Sequence, residues 1–304
     1  MSEYSREITS LEKVHSPIIK DVPPPTEKLG VLAGQLEDLE HMPDKNVMAP
    51  VHVALSIAMR GTKTYFEKGT REEIAEHRDA GGSFLLLMTH FRRWEIPAIG
   101  QITHSNASLR HLRFRTGITS RREIGELPGV GYIVRNSGCQ FIDRSYENTG
   151  ETEQEKKARQ DRNQAVQASG ANFITHGGHW LMFPEGGSKE ILMEDGKKVI
   201  GPDGKAVRVP RQPDKPLPLQ MGFVNLLGCM TPEQRARVKI MGIAAHYGKR
   251  RASSWRPTIV IPRLVTPLEG NYESKDHQSK VLQQGQDLFK QAVADAVALD
   301  ALRD

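Results

Sequence analysis

Residues 84–88 read Phe-Leu-Leu-Leu-Met, an unbroken apolar run that ends at Thr89. Such a run is the length of a strand buried on both faces. The polar turn after it puts the next side chains at the edge of a sheet, and in α/β proteins that edge is where ligands bind. His90 comes first there, and after four residues an acid follows, Glu95. If residues 92–95 begin a helix, Glu95 folds back within reach of His90. A carboxylate on one imidazole nitrogen fixes the tautomer and leaves the other nitrogen free to accept a proton. Taken alone, the pair also fits a loop histidine beside a solvated glutamate.

The pattern repeats along the chain. A second apolar run, residues 180–183, ends in Pro184, Glu185, Gly186, Gly187 and Ser188. Residues 238–246 and 258–264 read as two more buried strands, and 140–142 as a short one. Between them lie helical stretches at 96–102, 121–127, 130–136, 151–169, 219–230 and 278–302. Residues 48–68 read as one helix that packs on a core or lies on a membrane, the core being the commoner arrangement. Thr70 and Glu73 have the spacing of a capping box for a further helix. Residues 109–115 alternate arginine with apolar side chains, which predicts a strand with one basic face. Turn signals at Asp195-Gly196 and Asp203-Gly204 predict a β-ribbon inserted at about 190–211. Strands alternating with helices predict an α/β domain with a largely parallel sheet. Residues 1–45, mixed in charge and carrying Pro23, Pro24 and Pro25, are expected to form a mostly extended arm with a short helix near 32–39. The expected domain spans 46–304, with its core at 83–265 and a closing helix at about 278–302.

The chain has 304 residues, 38% hydrophobic and 26% charged, with a net charge of +5. Such a composition is that of an ordinary globular protein. The small positive excess suits an anionic substrate or an acidic membrane surface and does not require nucleic acid. The two cysteines, Cys139 and Cys229, lack metal-ligand spacing and are expected to be buried thiols in a reducing compartment. No apolar run reaches the roughly 18 residues that cross a bilayer, and no signal peptide is expected.

Three short blocks follow strand ends. The first is His90 with Glu95. The second is Gly138, Phe141, Ile142, Asp143 and Arg144. The third is Phe183, Pro184, Glu185, Gly186, Gly187 and Ser188. In order and spacing they resemble the glycerolipid acyltransferase family, the glycerol-3-phosphate and 1-acylglycerol-3-phosphate acyltransferases, over residues 83–246. The resemblance implies a single acyltransferase-like α/β domain with the β-ribbon inserted. It implies O-acyl transfer from acyl-CoA or acyl carrier protein to a hydroxyl of a phosphate-bearing acceptor. His90 would be the general base and Glu95 its orienting acid. Arg144 would hold the acceptor phosphate, which a guanidinium can grip with two parallel hydrogen bonds. Glu185 would bind the acceptor, and backbone N–H groups of Gly186 and Gly187 would face the thioester oxygen. No Gly-x-Ser-x-Gly is present, so direct transfer without an acyl-enzyme is expected.

Two departures from the family pattern bear on substrate. Glu95 stands where the family has aspartate. Gly187, Ser188 and Lys189 stand where it has threonine, arginine and serine, so Lys189 or Arg92 would take over a second phosphate contact. Besides glycerol 3-phosphate or a lysophospholipid, a different specialised acceptor remains open, as does a catalytically silent acyl-CoA- or lipid-binding protein. The acyl donor is a co-substrate, and no cofactor or metal is expected. His176 and His179 form a polar turn rather than a metal pair in this reading. Arg110, Arg113, Arg115, Arg121 and Arg122 form a basic band that suits anionic headgroups or a solvated face. The expected location is cytoplasmic, with peripheral contact at the inner face of an anionic membrane.

Overall fold

The computed structural model describes residues 11–14, 43–60, 62–90, 95–142, 152–185, 189–194, 197–201, 207–210, 217–247 and 257–301. A nine-stranded sheet runs through the molecule with helices on both faces, an α/β domain with a mostly parallel centre. The strands are β1 (Leu11–Val14), β2 (Lys63–Glu67), β3 (Ser83–Met88), β4 (Thr116–Arg121), β5 (Cys139–Ile142), β6 (His179–Met182), β11 (Val238–His246), β12 (Thr258–Ile261) and β13 (Leu264–Val265). Their order is β1-β2-β12-β11-β3-β6-β4-β5, with β13 beside β11. The run β11-β3-β6-β4-β5 is parallel throughout. β12 is antiparallel to β11, and β2 runs parallel to β12. Pro262, which has no N–H to donate, falls between β12 and β13, where pairing along β11 passes from one to the other.

The apolar run at 84–88 is β3, and every residue of it is buried. Its side chains alternate between two cores. Leu85 and Leu87 join Trp180, Met182, Phe223 and Phe289 on one face, while Phe84, Leu86 and Met88 join Leu181, Met241 and Ile261 on the other. A strand covered on both faces has no solvent-facing side, which is why the sequence shows a run rather than an alternation. Packing around Trp180 is close. Its indole N–H donates to Thr119 Oγ1 at 2.9 Å, and a Cβ on Gly117 would lie 2.3 Å from its ring.

The helices are α1 (Lys45–Ala58), α2 (Thr70–Asp79), α3 (Glu95–Ser105), α4 (Arg122–Gly125), α5 (Val130–Asn136), α6 (Glu153–Thr175), α7 (Gly222–Gly228), α8 (Pro232–Ala236) and α9 (Lys275–Ala301). The helix expected over 48–68 is two elements. α1 ends at Ala58, and the chain turns into β2, where Phe66 is fully buried. α1 is also less covered than expected: Pro50, Val53, Ala54, Ile57 and Ala58 form an exposed, uncharged stripe at helical spacing. The capping box at Thr70 does not form. Thr70 is itself the first helical residue after Gly69, whose φ of 86° is in the left-handed region. Glu73 instead accepts the N–H of Leu264 at 3.3 Å.

The strand expected at 109–115 is a 3-10 helix, Ala107–Leu112, capped by Asn106. Leu109 and Leu112, three apart, are its two buried residues, and that spacing belongs to a helix rather than a pleat. The basic band is therefore divided. Arg110, Arg113 and Arg115 precede β4, while Arg121 ends it and Arg122 begins α4 at the opposite end. Arg113 lies over the Phe114 ring, 4.4 Å from its centre. His179 is not in a turn: it opens β6, is buried, and its Nδ1 accepts the N–H of Phe84 at 3.2 Å. Cys139 is buried as expected, whereas Cys229 at the end of α7 is exposed.

Where the ribbon was expected, β7 (Lys189–Ile191) pairs with β10 (Arg208–Pro210), and β8 (Met193–Glu194) with β9 (Lys197–Lys198). The helix expected at 32–39 lies outside the described residues. Of the N-terminal arm, β1 is described, and it extends the sheet beside β2.

Candidate active site at the carboxyl edge of the sheet

The five parallel strands end on one side of the sheet, and the chain leaves β3, β6 and β11 there through His90, Glu185 and Tyr247. The parallel arrangement brings together side chains that are up to about 160 positions apart in sequence. Two hydrogen bonds hold β3 and β11 in step beyond their ladder. Thr89 N–H donates to the Ile243 carbonyl at 3.0 Å, and Ala245 N–H donates to Thr89 Oγ1 at 2.8 Å.

Glu95 is the first residue of α3 and has no exposed surface. It folds back so that Oε2 lies 3.4 Å from His90 Nδ1. The His90 side chain keeps 22% of its surface exposed. One ring nitrogen therefore faces a buried carboxylate while the ring still reaches the protein surface. Phe183 lies against the imidazole, with ring centres 4.5 Å apart. Tyr247 O–H donates to the other Glu95 oxygen, Oε1, at 3.1 Å. A base held in this way can take a proton from a hydroxyl at the surface while the charge it gains is met by Glu95.

Glu185 is 5% exposed, and it turns inward. Its Oε2 accepts the His90 backbone N–H at 3.4 Å, and its Oε1 accepts the Leu217 N–H at 2.8 Å. Beside it, Gln220 N–H donates to the Pro184 carbonyl at 2.7 Å. Together these bonds draw the two ends of the inserted ribbon onto the histidine loop.

Arg92, Arg144, Gly186 and Gly187 lie outside the described residues. Lys189 is described as the first residue of β7. The described part of the second block ends with β5. β5 ends at Ile142 on the same edge as β3 and β6, and Asp143 and Arg144 are the next two residues. Among the described residues no group of three or more His, Cys, Asp or Glu is arranged to hold a metal ion.

Tyr247 is the residue that sequence reasoning missed at this edge. It lies one residue past the stretch that carries the resemblance and belongs to none of the three blocks. The available signal was its place directly after a long buried strand, the same place His90 has after β3.

The family model for Acyltransferase matches residues 69–227, just over half of the chain. The chain belongs to the acyltransferase family. All three blocks fall within the matched span, and β11, Tyr247 and α9 fall outside it. A comparison with curated proteins gives no match.

Proposed function

We propose that this acyltransferase moves a fatty acyl group from acyl-CoA or acyl carrier protein to a hydroxyl of a phosphate-bearing acceptor, such as glycerol 3-phosphate or a lysophospholipid. The observation that carries this reading is the buried Glu95 beside a surface-reaching His90 at the carboxyl edge of the sheet. His90 Nε2 takes the proton of the acceptor hydroxyl as its oxygen attacks the thioester carbon. The carbon–oxygen bond forms, negative charge gathers on the carbonyl oxygen, and backbone N–H groups at Gly186 and Gly187 meet it. The tetrahedral species then collapses, the carbon–sulfur bond breaks, and the leaving thiolate takes the proton from the imidazolium. The acylated acceptor and free thiol are the products, and the enzyme returns to its starting state.

General-base help of this kind is worth about 10² to 10⁴ in rate. Arg144 holds the acceptor phosphate in this scheme, with Lys189 or Arg92 as a second cation. The reaction consumes acyl-CoA or acyl carrier protein as co-substrate and uses no other cofactor. Peripheral contact with the inner face of an anionic membrane is part of this proposal, and the uncharged exposed stripe of α1 supports its membrane-contact part. Leu127, Val130, Tyr132 and Ile133, at and before α5, are exposed as well. The end of α5 is tied to the start of α1 by Asp44 N–H donating to the Asn136 carbonyl. None of the helices among the described residues is long and apolar enough to cross a membrane.

One observation favours a second acceptor class. Glu95 and the Gly187-Ser188-Lys189 sequence depart from the family pattern, which fits a different specialised lipid or metabolite acceptor. The decisive experiment measures CoA release from palmitoyl-CoA with glycerol 3-phosphate and with 1-acylglycerol 3-phosphate, for the parent and His90→Ala. A loss of about 10²-fold or more in the variant supports the base role. Equal rates in both proteins refute the base role, and release by neither above the protein-free rate leaves an acyl-CoA- or lipid-binding protein.

A further inference from the structure

Glu95 is wholly buried, and a carboxylate in that position depends on protein donors to hold both its charge and its plane. At the carboxyl edge the imidazole of His90 and the phenol of Tyr247 each lie against one of its oxygens. His90 meets Oε2 at 3.4 Å, and Tyr247 O–H meets Oε1 at 3.1 Å. Turning the carboxylate would break the Tyr247 hydrogen bond and carry Oε2 away from the imidazole. Tyr247 is itself well held. It is 3% exposed and belongs to a core cluster with Val260 of β12 and Ala292, Val293 and Ala296 of α9. Its place relative to His90 is set by the β3–β11 ladder and by the two Thr89 hydrogen bonds beyond it.

We infer that Tyr247 is a positioning residue for acyl transfer. Its phenol fixes Glu95 against His90, and through it the C-terminal helix α9 supports the catalytic pair. The inference rests on His90 acting as the base. The chemistry asks for such a group, because the imidazole must present Nε2 to the acceptor in one tautomer and one orientation. A freely turning Glu95 would specify neither.

Tyr247→Phe removes the O–H and keeps the ring. The assay is CoA release from palmitoyl-CoA with 1-acylglycerol 3-phosphate, alongside Tm measured by circular dichroism. The expected result is a kcat about 10-fold lower, both KM values within about 2-fold of the parent, and a Tm near the parent's. Losing the phenol concentrates charge on the carboxylate and strengthens its hold on the imidazolium. The acid limb of the kcat/KM profile therefore moves to higher pH. In a Glu95→Gln background, Tyr247→Phe changes kcat by less than about 2-fold, because the residue acts through Glu95.

Parental kcat and pH profile in Tyr247→Phe overturn the inference. So does an undiminished loss in the Glu95→Gln background, or a fall in activity that only follows a fall in Tm. If Tyr247→Phe does not fold, 3-fluorotyrosine at 247 supplies the test. Its more acidic phenol donates more strongly and moves the acid limb to lower pH, and an unmoved limb refutes the inference. Full activity in His90→Ala would instead overturn the base itself, so the two failures are distinguishable.

Discussion

Acidification is the perturbation whose effect can be worked most fully from the structure. At the amino edge of the sheet, away from the candidate active site, His111 and His179 pack edge to face with ring centres 5.4 Å apart. Both lie close to the Phe84 ring. His179 is buried, and its Nδ1 accepts a backbone N–H, a role only the unprotonated nitrogen can fill. Burial holds its pKa well below the usual histidine value, and His111 and Arg115 push the same way. His111 retains some exposed surface, but both its ring nitrogens are sealed from solvent. Burial, aided by the positive charge of Arg78, lowers its pKa to about 3.

In the unfolded chain each ring titrates near pH 6.5. The folded state keeps them neutral, so it binds fewer protons than the unfolded state at any pH between the two values. Stability is therefore complete above about pH 6.5 and is lost as pH falls toward the folded value. For His111 the loss between pH 7.5 and pH 5 is about 2 kcal/mol, since each pH unit below 6.5 costs about 1.4 kcal/mol per proton. His179 loses stability in the same direction over the same window. The His111 loss alone is an appreciable fraction of the 5–15 kcal/mol typical of a domain. Urea unfolding at pH 7.5, 6 and 5 reads the effect directly, and His111→Gln should reduce the slope below pH 6 by about one proton. Equal unfolding free energies at pH 7.5 and pH 5 would refute the reasoning, as would an unchanged slope in His111→Gln.

Three further outcomes are expected. Arg144→Ala raises the KM for the phosphate-bearing acceptor by about 10-fold or more and leaves the acyl-CoA KM near the parent's; equal rises would remove the phosphate role. Glu185→Gln puts an amide where two backbone N–H groups seek acceptors, and so costs about 1–3 kcal/mol in stability. Its kcat falls if Glu185 acts by holding the His90 loop, whereas a rise confined to the acceptor KM would assign it to acceptor binding. Gly117→Ala forces a Cβ to within 2.3 Å of the buried Trp180 ring, which Gly170 also crowds. It should cost about 1–3 kcal/mol and lower Tm by several degrees, with no change in KM.

Much of the layout was legible without coordinates where the local signal was strong. The unbroken run at β3, the long buried β11 and the strand-to-loop block after β6 were visible because a strand covered on both faces leaves a plain apolar stretch. Errors fell where a short segment fits two periods. Arginine and leucine at 109–115 satisfy an alternating pattern locally. Only the burial of Leu109 and Leu112 together shows a helical turn. The merged helix at 48–68 failed for a related reason: β2 is too short and too closely joined to α1 to break an apolar pattern by itself.

The order of side chains near strand ends was fixed by the chain alone, and with it the candidates His90, Glu95 and Glu185. Local rules of turn and helix start act over a few residues, and His90 and Glu95 are only five apart. What faces what across the sheet was decided by tertiary structure. Tyr247 meets Glu95 across 152 positions because β3 and β11 pair in one register. Glu185 reaches Leu217 because the ribbon's two ends return to one place. Contacts of that range depend on strand order and register, which are set by the burial of whole faces and leave no mark in any short stretch of sequence.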